Sequence, residues 1–223
     1  MAKHLDLEEQ EQLDQIKHFW ARHGNLITWV LIAVFGAVAA WNGWNYWQRH
    51  QAVKASALYE EVERAAVARD TERLARALAD IQSGYGRTAF ASQASLMAAS
   101  TFHESGQAEA ATAALTWVGS KGADDAYRAV ARLRLSALHL DAGSPDQAMA
   151  VLAEPVPAAF EGLAADRRGD VLLAQGKPDE AREQYRQAWK ALGERSEYRR
   201  LVEVKLASLG VNASDLATGG AQQ

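Results

Sequence analysis

GKPDEAREQYRQAWKAL, residues 176–192, is the stretch that decides the fold. Gly176 suits the left-handed backbone that closes a preceding helix. Pro178, two residues on, fixes φ at the first position of the next helix. Asp179 and Glu180 put negative charge in that first turn, against the positive end of the helix dipole. Ala181, Tyr185 and Ala188 recur at i, i+4 and i+7, one face of a helix whose small residues allow close packing. A second helical pattern precedes the glycine. Residues from about Gly162 to Gly193 therefore read as two antiparallel helices joined by a tight turn.

Gly-x-x-x-x-Ala occurs twice more, at Gly106–Ala111 and Gly143–Ala148, and the three glycines lie 37 and 33 residues apart. Self-similarity at such a period marks a stack of helical hairpins. Gly169, Gly176, Ala181, Tyr185 and Ala188 sit where the tetratricopeptide repeat has its small residue, turn glycine, alanine, aromatic and second alanine. Ala165 and Leu172 stand in place of its usual tryptophan and first tyrosine. The second unit keeps Leu135, Gly143 and Ala148, and the first keeps Phe102, Gly106 and Ala111. An alanine-rich bundle without repeat geometry is the plainer alternative.

Outward from the repeats, Gln48–Gln82 shows two helical patterns, one on Leu58, Val62 and Ala65/Ala66, the other on Leu74, Leu78 and Ile81. They break near Arg69-Asp70-Thr71, where Asp70 or Thr71 is expected to cap the second helix, and Ser83–Gly86 is expected to end it. A last helix over about Glu197–Leu209 places Leu201, Val204/Lys205 and Leu209 along one side, as a cap to the stack. Asn212–Gln223 is small and polar and is expected to be disordered.

Asn25–Trp47, NLITWVLIAVFGAVAAWNGWNYW, carries no Asp, Glu, Lys or Arg. Its 23 residues rise ~34 Å as a helix, enough for a ~30 Å hydrocarbon core. Trp41, Trp44, Tyr46 and Trp47 crowd one end, with Trp20 and Trp29 near the other, in the pattern of an interfacial aromatic belt. A buried core helix is disfavoured because the apolar residues surround the helix. Ala37-Val38-Ala39 offers a signal-peptide cleavage site, but the preceding segment is long and acidic, and the apolar stretch continues past it. Lysine and arginine are balanced on the two sides, so charge sets no orientation. Ala33, Gly36, Ala37, Ala40 and Gly43 form a stripe of small residues, a candidate face for a partner helix. Leu13, Ile16 and Trp20 give the preceding tail one apolar face, expected to lie at the membrane surface. The expected architecture is all-α: tail 1–24, transmembrane helix 25–47, tetratricopeptide-like helical-hairpin solenoid 48–209, and tail 210–223.

Net charge is −4, too mild to suggest nucleic acid as a partner, and cysteine is absent, which excludes disulfides and thiol chemistry. The six histidines, at 4, 18, 23, 50, 103 and 139, show no metal-ligand pairing. Phosphate-loop, nucleophile-elbow and His-Glu-x-x-His motifs are all missing. Asp124-Asp125 reads as a helix cap, and Glu60-Glu61-x-Glu63 as a solvated face. No cofactor is expected, and the chain reads as non-enzymatic. A hairpin stack commonly presents a concave protein-binding surface. Fitting the three units in phase gives Leu96, Ser100 and His103, then Leu133, Ala137 and Leu140, then Asp166, Asp170 and Leu173 as its lining. That mixture lacks the lysine and asparagine needed to clamp an acidic C-terminus and favours apolar or basic extended segments.

An acidic tail ending Gln12-Leu13-Asp14-Gln15-Ile16-Lys17-His18-Phe19-Trp20, one anchor and a short repeat stack together resemble the YfgM-like ancillary subunits of the bacterial SecYEG translocon. The resemblance runs from about Leu7 to Val211. It implies a cytoplasmic N-terminus, a single inner-membrane helix and a periplasmic repeat domain. It further implies association with the translocon and with a membrane-anchored periplasmic chaperone of the prolyl-isomerase type, passage of secreted chains onward, and a link to envelope stress responses. A scaffold for another envelope complex is the competing reading, and an enzyme with a degenerate site a third.

Overall fold

The computed structural model describes residues 7–194 and 196–211. Among them every α or 3-10 element is helical: α1 Leu7–Val67, α2 Thr71–Tyr85, α3 Ala89–Glu104, α4 Ala108–Lys121, α5 Asp125–Asp141, α6 Pro145–Val151, a 3-10 turn Ala158–Phe160, α7 Glu161–Ala174, α8 Pro178–Ala191 and α9 Tyr198–Ser208. The chain divides into two units, residues 1–50 and 51–223.

In the first unit, α1 contains a stretch long and apolar enough to cross a membrane, with mean hydropathy 1.8 over its best window and almost nothing buried. Trp29, Phe35, Trp41 and Tyr46 are all well exposed, as side chains meant for lipid would be. Gly24 is buried because the Trp20 indole lies across it, 3.1 Å from where a Cβ would stand. The expected tail falls partly outside the described residues, which begin at Leu7.

The second unit is built on one turn used five times. Gly106, Gly143, Gly176 and Gly210 have φ of 75°, 71°, 74° and 81°. In each case the next residue donates its N–H five residues back: Gln107 to Phe102, Ser144 to His139, Lys177 to Leu172, and Val211 to Leu206, at 2.8–3.0 Å. This is the Schellman closure, which satisfies carbonyls the helix end would leave unpaired. The fifth instance carries no glycine. Arg69 adopts φ 53°, and Asp70 N–H donates to Ala65 at 3.0 Å. Asp70 then caps α2 by accepting from Arg73 N–H at 3.0 Å. The two helical patterns before the repeats are thus a further hairpin of the same kind. It lacked a glycine signature because an L-residue tolerates αL at modest strain.

α2 ends at Tyr85 as expected, but Gly86 has right-handed φ −56°, and no left-handed closure occurs there. Pro145 and Pro178 open α6 and α8 at the first helical positions. Asp124 caps α5, accepting from Tyr127 N–H at 3.0 Å.

Three apolar clusters run along the stack. Val62, Leu74, Ile81, Phe102, Leu115, Val118 and Leu135 join the C-terminal part of α1 to α2–α5, filled between by alanines. Ala148, Leu152 and Val171 join α6 to α7, with Leu133 and Leu140 of α5 against them. Leu172, Tyr185, Val202, Leu206 and Val211 join α7, α8 and α9. A Cβ on Gly169 would run into the Tyr185 ring, so the small residue at that position is a packing requirement.

The last helix turns a different face inward from the one expected. Val202 and Leu206 are fully buried, while Leu201 is 46% and Val204 66% exposed. Tail residues Gly210 and Val211 are also placed, with Val211 in the core; the expected disorder of 212–223 lies outside the described residues.

Candidate protein-binding site

Counting back from the left-handed turn residue puts the first helices of all hairpins in register. Seven and four residues before it lie Val62 and Ala65, Ala99 and Phe102, and Gly169 and Leu172, all buried against the second helix. Ten residues before it lie Tyr59, Leu96, Leu133 and Asp166, which turn toward neighbouring hairpins. The Tyr59 ring sits 5.7 Å from that of Phe90. Leu96 packs into the first cluster and Leu133 into the second.

Nine and six residues before the turn lie Glu60 and Glu63, Met97 and Ser100, Arg134 and Ala137, Arg167 and Asp170, Leu201 and Val204; Met97, Ala137, Arg167 and Asp170 are half-buried and the other six exposed. Apart from Asp170, whose carboxylate is held by Tyr185 of α8 and Lys205 of α9, these positions form a face of the first helices that stays at least partly open. Of the residues expected to line the groove, Ser100, Ala137 and Asp170 lie on it, and His103 and Leu173 are exposed beside it. Leu96, Leu133, Leu140 and Asp166 do not. The first three are spent on packing between hairpins, and Asp166 is 0% exposed. Leu96, Leu133 and Asp166, ten residues before the turn, sit one residue out of phase with the open face, whereas Leu140 shares the position of His103 and Leu173 and is half-buried against the second cluster.

Asp166 and Asp170 instead anchor α9. Lys205 Nζ donates to Asp166 Oδ1 and Oδ2 at 2.8 and 2.9 Å and to Asp170 Oδ1 at 2.6 Å. The Tyr198 hydroxyl donates to Asp166 Oδ2 and the Tyr185 hydroxyl to Asp170 Oδ1, both at 2.7 Å. Arg167 adds a bond of 3.3 Å to Asp170 Oδ2. Two carboxylates thus face one lysine and one arginine, leaving no net charge. Burial, then the bond to Asp170, raises the Tyr185 pKa well above 10.0; burial, then Asp166, does the same for Tyr198. A buried carboxylate such as Asp166, accepting three hydrogen bonds from Lys205 and Tyr198, is a structural lock, withdrawn from any ligand.

Elsewhere on the face Ser100 Oγ donates to Glu104 Oε1 at 3.2 Å, and Arg134 reaches the Leu96 carbonyl at 3.4 Å. At the outer edge Glu61 is tied to Arg73 at 2.7 Å, and that hydrogen bond holds its carboxyl below the ordinary value. Glu60 and Glu63 stand clear of such pairing among the described residues. Sequence reasoning missed Met97, Arg134, Arg167, Leu201 and Val204; the glycine register, extended through Arg69 and Gly210, would have found them.

In the apolar segment, Ala33, Gly36, Ala37, Ala40 and Gly43 are all exposed, and a Cβ on Gly36 or Gly43 would meet nothing within 4 Å. Among the described residues no three His, Cys, Asp or Glu converge as metal ligands.

The family model of a tetratricopeptide repeat-like domain matches residues 17–211, so it takes in the apolar segment as well as the hairpins. The ancillary SecYEG translocon subunit of Neisseria gonorrhoeae is 34% identical over 213 residues, covering 94% of this chain and all of the relative. That of Haemophilus influenzae is 29% identical, over 82% of this chain and 89% of the relative. That of Escherichia coli is 27% identical, over 82% and 86%. A hairpin register that starts directly after an apolar helix, and relatives matched across nearly their whole length, place this chain in the family of ancillary SecYEG translocon subunits.

Proposed function

We propose that the chain is a non-enzymatic, membrane-anchored adaptor at the Sec translocon, which takes secreted chains on its hairpin domain and passes them to a membrane-anchored periplasmic chaperone. The observation that carries this reading is the partly open face of the first helices, in a chain whose described residues hold one helix long and apolar enough to cross a membrane and whose relatives are ancillary translocon subunits. In this reading the N-terminus is cytoplasmic, Asn25–Trp47 crosses the inner membrane, and residues beyond about 48 are periplasmic. The small-residue stripe on Gly36 and Ala40 packs against a helix of the translocon or of the chaperone, since close backbone approach drives association in lipid.

Co-purification in mild detergent tests the central claim: SecYEG subunits are expected with the full chain, and recovery of a different envelope complex would favour the scaffold reading. Protease added to spheroplasts is expected to digest residues beyond Arg49 and spare the tail. A soluble form beginning near Ala40 would instead mean that the apolar segment is a cleaved signal. Gly36→Leu with Ala40→Leu is expected to weaken co-purification, whereas Val34→Leu with Val38→Leu on another face is not. Equal recovery from all three proteins would reduce the anchor to a tether.

A further inference from the structure

The end of the stack is built against the logic of a cap. A terminal helix that only shields a core keeps a polar outer face. On α9 two of the outward residues are Leu201 and Val204, 46% and 66% exposed. Moreover, α9 closes in the same left-handed turn as the other first helices, at Gly210. Nine and six residues before that turn, Leu201 and Val204 occupy the positions that line the open face in the other hairpins. Leu201 is one turn before Lys205. The face therefore ends on Leu201 and Val204, an exposed apolar pair one turn apart on α9, and exposed apolar side chains gathered in one place mark a contact surface.

The other end differs in charge. Glu60 and Glu63 hold the same two register positions on the C-terminal part of α1, and Glu104 of the following hairpin lies against Arg69 at the turn that ends α1. Glu104 accepts from Ser100 Oγ at 3.2 Å, and its one cationic partner among the described residues is Arg69, at 3.8 Å with both side chains largely exposed, so little of its charge is neutralised.

Resting on the reading above, that the hairpin domain receives secreted chains, we infer that this face binds an extended polypeptide segment with apolar side chains on Leu201 and Val204 and lysine or arginine reaching Glu60 and Glu63. Opposite charge at one end and apolar surface at the other fix both the composition and the direction of the occupant. From α1 to α9 are four steps between first helices. At ~8–10 Å each they span roughly 35–40 Å, the reach of about eleven or twelve extended residues.

The test uses the full chain in lipid nanodiscs and a fluorescent, unstructured twelve-residue peptide with three lysines at one end and leucine and phenylalanine at the other. Leu201→Ser with Val204→Ser is expected to weaken binding about tenfold or more. Glu60→Gln with Glu63→Gln is expected to weaken it about threefold or more and to flatten its salt dependence. All four positions are exposed, and unchanged melting of each double variant confirms that the fold is intact. A peptide with serine in place of its apolar residues should bind the wild type and the Leu201/Val204 variant alike. Absence of peptide binding by the wild type, or equal binding by all proteins, overturns the inference. So does a Leu201/Val204 variant that loses self-association in sedimentation yet keeps the peptide, which would assign the patch to a second copy. SecYEG co-purification, measured on the same proteins, separates the two ideas. Its absence from the wild type sinks the translocon reading, while peptide losses in the expected order still uphold this one.

Discussion

Between α1 and α4 the helices meet through Val62, Leu74, Ile81, Phe102 and a grain of alanines, whereas α9 meets α7 and α8 through two aspartates, a lysine and two tyrosines as well as Val202 and Leu206. The first contact is non-directional and tolerates small losses in proportion to the area removed from water. The second is directional. It fixes one placement of α9, and it fails steeply if one member is lost, because the survivor is a charge stranded out of water. The place where the lining of the open face turns apolar is thus held in a single geometry.

Lys205→Met would break this contrast most severely. With Asp166 fully buried, the loss is expected to be about 3–5 kcal/mol by denaturant melts. Ile81→Val in the apolar region should cost only about 0.5–1.5 kcal/mol. Combining Lys205→Met with Asp166→Leu should recover part of the loss. A double variant as unstable as the single would show that the lock is not electrostatic.

Gly169→Ala comes next. The added methyl meets the buried Tyr185 ring, which also carries the bond to Asp170, so overpacking should destabilise by about 1–3 kcal/mol. The same change at Gly84, where a Cβ meets nothing, should be neutral or slightly stabilising, since the helix position favours alanine.

Arg69→Gly sharpens the comparison from the other side. Releasing an L-residue from φ 53° should stabilise the first hairpin by a few tenths to about 1 kcal/mol, because the exposed pair with Glu104 contributes little. A clear destabilisation would mean that Arg69 holds the turn through its side chain.

Alkaline titration should show the smallest effect. Both tyrosine pKa values are raised in the fold, so their contribution is complete below pH 10 and is lost as pH rises above it. Thermal melts are expected to stay level to about pH 10 and then fall, and Tyr185→Phe should soften that decline. A fall that is the same in the variant would assign it to other groups.

The all-helical class, the hairpin units and their turns were legible because glycine, proline and acidic residues sit at fixed offsets, and each offset has a local physical cause. The hairpin at Arg69 was only half legible. Its helices showed in the periodicity of Leu74, Leu78 and Ile81, but its turn is closed by backbone hydrogen bonds that arginine accepts as readily as glycine does geometrically, if less comfortably. The open face was less legible still. A one-residue error in phase moves a helix position by ~100°, enough to exchange Asp166 for Arg167 and Leu133 for Arg134. The inward face of α9 was misread for the same reason, since Leu201, Val202, Val204 and Leu206 offer two apolar stripes. Only packing against α7 and α8 selects between them. The ion pairs of Lys205 were not legible at all, because they join residues 35 and 39 positions apart.

Five identical turns also have a mechanical consequence. In the stack most helix contacts are between neighbours in chain order, so a pulling force meets the hairpins in series. Drawn from its ends with optical tweezers, the domain should lengthen in steps of one repeat. Each released unit of 33–37 residues adds roughly 120 Å of contour at ~3.5 Å per residue. The helix that gives way at the highest load should be the one clamped by Lys205.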